Sequence, residues 1–364
     1  MSADLFESFH LGDLILANRI VMAPMTRNRA GRDGIASPLM AAYYRQRAGA
    51  GLIIAESTPV SLEGVGYPFT PGIWTEAQAT SWRAVTDAVH SEQGRIFLQL
   101  QYCGRISHPS LLPNGAAPVA PSAIRPAGQA VTYAGMQDFV TPRLIEIPEI
   151  EGIAVQFRRA AEMAKQAGFD GIEVHGANGY IIDQFLRDGS NHRSDAYGGN
   201  AENRMRLLNE ILDAVCAVWP ARRVGVRLSP ENGFNAMSDS DPQKHFEHFA
   251  VRLSPRGLAY LHVLEGDMMT GARALDYRAL RAKFAGLYIA NNGYDLVRAQ
   301  AAVSGGAADL VAFGVPFVAN PDLVRRYRDG LPLAKADPST FYGGGEKGYT
   351  DYPSHHDGKI VRAG

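Results

Sequence analysis

The feature that most constrains this chain is a repeated pairing of a short apolar run with a stretch of helical spacing. Eight such runs follow one another: Arg19 to Pro24, Gly51 to Glu56, Arg95 to Leu100, Gly171 to Val174, Arg223 to Leu228, Ala259 to Val263, Gly286 to Ala290 and Asp309 to Phe313. A strand with one wet face alternates polar and apolar residues, whereas a parallel strand covered on both faces reads as an unbroken apolar run. Between them lie amphipathic segments. Helices are expected over 39–48 and 76–90, and before the fourth run Ile150, Ile153, Ala154, Phe157, Ala161 and Ala164 recur at helical spacing. Eight strand–helix alternations predict an α/β fold of the (β/α)8 TIM-barrel type. A doubly wound sheet is the competing arrangement, but no G-x-G-x-x-G follows any of the runs.

Two stretches break the alternation. Residues 106–148 carry seven prolines and no helical period. A loop of that length inside a compact domain is usually functional. It is expected to form a capping hairpin after the third strand, with Phe139 to Arg143 as one arm. The tail over 338–364 contains Gly343-Gly344-Gly345 without the spacing of a phosphate loop. It is expected to wrap the surface and return Tyr349 or Tyr352 toward the barrel mouth. Nothing resembles a linker, so residues 1–364 read as a single domain.

Composition narrows the function. The net charge of −1 offers no electrostatic footprint for nucleic acid or an anionic membrane. No apolar run is long enough to span a bilayer, and the first residues lack the charged and apolar regions of a secretion signal. The two cysteines, Cys103 and Cys216, form no metal or redox spacing, and a reducing, cytoplasmic setting is expected. No metal site is expected, and small molecules are the expected partners, with the chain a monomer or homodimer.

In a barrel of this kind the chemistry sits at the carboxyl ends of the strands. There the sequence places Thr26, Glu56-Ser57-Thr58, Gln99, Arg227 and Asn291-Asn292-Gly293. Each polar group in an apolar strand costs a few kcal/mol unless it finds a partner, which a polar planar ligand would provide. The end of the fourth run, His175-Gly176-Ala177-Asn178-Gly179-Tyr180, holds two hydrogen-bond donors and a phenol. Such a set polarises a carbonyl and protonates its neighbour. A strand-end histidine is as readily a structural one. Gly293 and Gly314 follow the seventh and eighth runs, where barrels form phosphate sites, and they fit plain helix starts equally well. A phosphate joined to a heterocycle bound by Thr26, Gln99 and Arg227 describes flavin mononucleotide, FMN.

Taken together the motifs resemble the Old Yellow Enzyme family of FMN-dependent ene-reductases. The likeness rests on Asn18 to Arg27, His175 to Tyr180, Gln184-Phe185-Leu186, Asn191 to Gly199, Glu202-Asn203-Arg204, Val311 to Gly314 and Ala319 to Leu323. It implies non-covalent FMN contacted by Pro24, Thr26, Ser57, Gln99, His175 and Arg227. Asn292, Gly293, Gly314 and Val315 would contact its phosphate. It implies His175 and Asn178 as anchors for a substrate oxygen, Tyr180 as proton donor, and Tyr67, Gln101 and Tyr349 as further substrate-side residues. The implied reaction passes hydride from NADPH or NADH through FMN to an activated alkene. Three departures from the family pattern stand out: Gln101 for a tryptophan, Tyr102 for a histidine and Val315 for a phosphate-binding arginine. Two other readings remain, a barrel enzyme acting directly on a phosphorylated substrate and an impaired flavin carrier. The first lacks a strand-end lysine suited to a Schiff base.

Overall fold

The computed structural model describes residues 3–356 and 359–361. Its centre is a closed barrel of eight parallel strands. In chain order they are Ile20–Met22, Leu52–Pro59, Ile96–Gln101, Gly171–His175, Val224–Leu228, Tyr260–Leu264, Tyr288–Asn291 and Leu310–Phe313. Each pairs with the next, and the last returns to the first through Val311↔Ile20 and Phe313↔Met22. All eight coincide with the apolar runs of the sequence. Every residue in them is buried, which is the physical reason that no polar–apolar alternation survives.

The helices close the outside. Glu76–Ser91 starts at a capping box in which the Thr75 hydroxyl takes the Gln78 N–H and the Gln78 side chain reaches back. The 20-residue helix Ile147–Gln166 buries Ile150, Ile153, Phe157, Ala161 and Ala164 against the strands, as its spacing requires.

The barrel interior is divided along its axis. Toward the amino ends of the strands Val21, Leu52, Ile54, Phe97, Ile289 and Leu310 form an apolar floor. That floor is sealed by a small hairpin, Phe9–Leu11 with Leu14–Leu16, whose Leu11, Leu14 and Leu16 pack into it. Toward the carboxyl ends the interior turns polar, with Gln99, Glu173, Arg227 and His262 all buried. An apolar floor and a polar ceiling leave one end of the barrel fit for chemistry.

The excursion after the third strand does contain a hairpin, but its arms are Gln129–Thr132 and Gly135–Asp138. Residues 139–143 are not an arm. Only Arg143–Leu144 pairs there, in parallel with Val119–Ala120. The tight turn is set by Thr132, whose hydroxyl donates to the Gly135 carbonyl and accepts the Ala134 N–H, with Gly135 at φ 99°.

The tail wraps the barrel as expected, but Tyr349 does not reach the mouth. It is fully buried and stacks on Tyr43 with ring centroids 4.1 Å apart. Three arginines hold it there. Arg27 donates to the carbonyls of Phe341 and Gly348, Arg29 to those of Thr340 and Gly345, and Arg47 to Tyr349. Tyr352 is engaged by the Asp337 N–H at 3.0 Å. Tyr342, the remaining tail phenol, is 71% exposed. The buried Tyr349 hydroxyl has no hydrogen-bond partner among the described residues. Tyr349→Phe should therefore leave stability within about 1 kcal/mol, since an unsatisfied group is removed. Tyr349→Ala should cost about 3–5 kcal/mol through lost packing. Urea unfolding of both variants checks this, and a Phe variant as weak as the Ala variant would contradict it.

Candidate functional site

The fourth strand ends at His175, where the Gly176 N–H still reaches the Arg227 carbonyl at 2.9 Å. Asn178 at φ 59° and Gly179 at φ 78° then turn the chain through the left-handed region. Glycine takes this conformation freely, and asparagine is the side chain that tolerates it best. The turn delivers Tyr180 to the start of the helix Ile181–Leu186. A buried carboxylate holds the bend: Asp183 accepts the Gly179 N–H at 2.8 Å and pairs with Arg187 at 3.0 Å. Gln184 closes it by donating to the Gly179 carbonyl at 2.7 Å and the Cys103 carbonyl at 3.0 Å.

The ring of His175 lies edge-on to Tyr180, with centroids 5.0 Å apart. Burial first, then the neighbouring charge of Arg227, holds the His175 pKa well below the ordinary imidazole range. The imidazole is therefore neutral at pH 7. Its Nδ1 accepts the Ala177 N–H at 3.4 Å, so the ring proton belongs on Nε2, which acts as a donor. Tyr180 is 9% exposed, and burial drives its phenol well above the usual value, so it stays protonated. Its hydroxyl lies 3.1 Å from that of Tyr67. Asn178 is half-buried, and its side-chain oxygen accepts from Asn232 at 2.9 Å.

The polar ceiling of the barrel adjoins this group. Ser57 donates to Gln99, Gln99 donates to Glu173 at 2.7 Å, and Glu173 meets His262 Nδ1 at 2.9 Å. Both ends of the Gln99 amide are thus engaged within the protein. Arg227, cross-strand from His175, donates to Asn291 at 2.8 Å. Arg227 Nε, His262 Nε2 and Gln101 Oε1 are buried without a protein partner. Such orphans cost about 1–3 kcal/mol each. The neutral His262 ring gives its proton at Nδ1 to Glu173, so Nε2 is an acceptor, and the set of one donor and two acceptors can be matched by the edge of a flavin ring. Pro24 is buried and Thr26 half-buried beside the first strand's end.

At the seventh and eighth strand ends, a side chain at Gly293 would meet only Arg298 Nη1, at 3.7 Å. One at Gly314 would meet only the Met25 side chain, at 3.5 Å. These open glycines suit a phosphate. Asn292 uses its amide to reach the Glu265 carbonyl at 2.9 Å, and Val315 is 57% exposed with no charge to offer. Arg298, which donates to the Gly293 carbonyl at 3.1 Å, is the guanidinium beside this cradle. The other departures also acquire a place. Gln101 donates to the Cys103 sulfur at 2.8 Å. Tyr102 is 5% exposed and its ring abuts Gly64, while its backbone carbonyl accepts the Ile181 N–H at 3.0 Å.

Comparison with known proteins decides what this arrangement belongs to. Residues 4–334 match the model of the NADH:flavin oxidoreductase / NADH oxidase family. This chain belongs to that family. It is accordingly an oxidoreductase that works with a flavin and a reduced nicotinamide. It is 43% identical to a probable flavin mononucleotide-dependent alkene reductase of Leishmania infantum, over 94% of this chain and 95% of the relative. Morphinone reductase in complex with tetrahydroNAD superposes with a TM-score of 0.92 at 45% identity, covering 98% of this chain and 99% of the other. The Old Yellow Enzyme homologue of Zymomonas mobilis gives a TM-score of 0.94 at 42% identity, over 96% and 99%. The resemblance read from the motifs is thereby established at the level of the family.

Among the described residues one group has the spacing of metal ligands, Asp188, Asp239 and His245. Asp188 accepts from Ser240 and Asp239 Oδ1 meets His245 Nδ1 at 2.6 Å, while Asp239 Oδ2 is buried without a partner among the described residues. The residues that sequence reasoning missed are those that hold others in place: Asp183, Ser229 and Asn232. Only the polar cluster Ser229-Pro230-Glu231-Asn232 after the fifth strand offered a signal. The neutrality of His175 has a direct test. Its ring nitrogens, followed by NMR, should show no protonation as pH falls from 8 to about 6, since the ordinary value near 6.5 is depressed here. A midpoint at or above 6.5 would contradict the assignment.

Proposed function

We propose that this protein is an FMN-dependent ene-reductase that reduces activated alkenes: enones, enals, maleimides and nitroalkenes. The observation that carries the reading is the grouping of a neutral His175, an oriented Asn178 amide and a protonated Tyr180 around one bend at the barrel mouth. Bound FMN would supply the hydride chemistry that links NADPH or NADH to the substrate's β-carbon. The chain's own residues do the rest. His175 Nε2 and the Asn178 amide donate to the carbonyl or nitro oxygen and stabilise the charge that develops there. Tyr180 delivers a proton to the α-carbon, and Tyr67, hydrogen-bonded to it, holds the phenol in place.

Arg227, Thr26, Pro24, Ser57 and Gln99 would border the flavin ring. Gly293, Gly314, Asn292 and Val315 would border its phosphate. Arg298 takes over the cationic role that Val315 lacks. Gln101 in place of a tryptophan widens the pocket and makes it more polar. Alkene and nicotinamide would use one pocket in turn, which gives ping-pong kinetics. None of the helices among the described residues is long and apolar enough to cross a membrane. The two free thiols accord with a reducing, cytoplasmic setting.

The reading is tested by the flavin absorption of the purified protein, followed anaerobically. The band should bleach on addition of NADPH and return on addition of cyclohexenone. A band that bleaches and fails to return would refute ene-reduction. In Tyr180→Phe, stopped-flow reoxidation by cyclohexenone should slow by about 100-fold or more while bleaching by NADPH is unchanged. Equal loss in both half-reactions would remove the proton-donor role. At the phosphate end, Arg298→Ala should weaken FMN binding and Val315→Arg should tighten it, each by roughly tenfold. Fluorescence titration of the apoprotein with FMN checks both. An Arg298→Ala protein with wild-type affinity would place the compensating charge elsewhere.

A further inference from the structure

The Asn178 amide is held by a second amide that belongs to none of the recognised motifs. Asn232 is buried in the segment after the fifth strand and donates through Nδ2 to Asn178 Oδ1 at 2.9 Å. Its own Oδ1 accepts the backbone N–H of Met268 at 3.3 Å and of Phe234 at 3.4 Å. A backbone N–H can only donate, so Asn232 must turn its oxygen toward those two groups and its nitrogen toward Asn178. Asn178 must then receive that nitrogen on its oxygen. Reversing either amide would set N–H against N–H with nothing to accept.

The remaining atoms of Asn178 are tied as well. Its backbone N–H donates to Ser229 Oγ at 2.8 Å, and its carbonyl accepts from Asn235 at 2.8 Å. The Asn178 amide nitrogen is the one polar group left without a partner among the described residues. A chain of aligned hydrogen bonds also polarises its members, by about 10–30% per bond. The start of the chain is itself secured, because the Asp267 carboxylate accepts the N–H groups of Gly233, Met269 and Thr270.

We propose that Asn232 is a positioning residue that sets the polarity of the Asn178 amide. Asn178 then offers N–H, not C=O, to the substrate, and the pocket selects alkenes whose activating group is an acceptor. This inference rests on the assignment of Asn178 as an oxygen anchor under the proposed function. The relay runs from the backbone N–H groups of Met268 and Phe234 through Asn232 and Asn178 to the substrate oxygen.

The test uses the FMN-loaded enzyme and four variants: Asn178→Ala, Asn232→Ala, Asn232→Asp and the double variant Asn178→Ala/Asn232→Asp. Two quantities are read: the rate of flavin reoxidation by cyclohexenone, and the affinity for cyclohexanone from the shift of flavin absorption. Cyclohexanone offers the same oxygen but accepts no hydride. Asn232→Asp keeps the size of the side chain and an acceptor for the two backbone groups, yet turns a second oxygen toward Asn178. The Asn178 amide must then reverse. Asn232→Ala should weaken cyclohexanone binding by roughly 3- to 10-fold, and Asn232→Asp by more. In the Asn178→Ala background Asn232→Asp should add nothing. A purely structural role ranks the variants the other way, because alanine leaves a cavity and aspartate does not. Asn232 variants equal to wild type beside an impaired Asn178→Ala, or losses that add, would overturn the positioning role. A wild-type Asn178→Ala would show instead that the oxygen-anchor assignment fails, and the positioning role would fall with it.

Discussion

Burial of all eight strands on both faces is the constraint on which the rest of this molecule depends. A strand with no wet face cannot scatter polar side chains along its length, because each would cost a few kcal/mol without a partner. The chain resolves this by gathering them at one end. The floor of the barrel is apolar and sealed by a hairpin, while Gln99, Glu173, Arg227 and His262 crowd the other end. Some of their hydrogen-bonding capacity is met internally, through the run from Ser57 to His262. The part that is not met among the described residues, at Arg227 Nε and His262 Nε2, is capacity that a planar heterocycle could satisfy. Cofactor binding in such a barrel is thus a consequence of how the fold disposes of its buried polar groups.

The reactive group depends on a second, local constraint. Asn178 sits in the left-handed region, and the bend it makes puts His175, Asn178 and Tyr180 around one point. Left-handed asparagine is a conformation with a modest cost, and here Asp183, Ser229, Gln184 and Asn235 all contribute hydrogen bonds that hold it. Charge is arranged to match. The buried Arg227 guanidinium favours negative charge near it and disfavours a proton on His175. A charged imidazole there would compete with the substrate for that field. On the proposed reading a neutral one donates through Nε2 and leaves Arg227 to balance the charge that the reaction would build.

The barrel was legible because double burial writes itself into sequence as unbroken apolar runs. Its bend was legible because three reactive residue types follow one run within six positions. The floor hairpin was not, since strands of three residues carry no period. The arms of the capping hairpin were misplaced for a related reason. Phe139-Val140-Thr141 has strand-forming side chains, while the true arms, Gln129–Thr132 and Gly135–Asp138, are largely polar and mostly exposed. Their pairing is decided by one glycine and one threonine hydroxyl. The tail shows the limit most clearly. Tyr342 and Tyr349 lie seven residues apart with similar neighbours, and which one turns inward depends on Arg27, Arg29 and Arg47 about 300 residues earlier. Contacts of that sequence separation leave no local pattern to read.

The same three arginines explain why the tail can vary in composition yet stay fixed in geometry. Arg27 and Arg29 spend their donors on tail carbonyls and so bind backbone, not side chains. A carbonyl is present whatever residue carries it. The clamp therefore holds this stretch of tail while leaving the identity of Tyr342 free to vary. The opposite logic applies at Asn178, where every partner is specific to the atom it meets. On the proposed reading, substitutions at Gln101 alter what the pocket accepts, those at Val315 alter how the phosphate is held, and those around Asn178 alter whether the pocket can activate a substrate. The departures from the family pattern fall at Gln101, Tyr102 and Val315, and none of them is among the hydrogen-bond partners of Asn178.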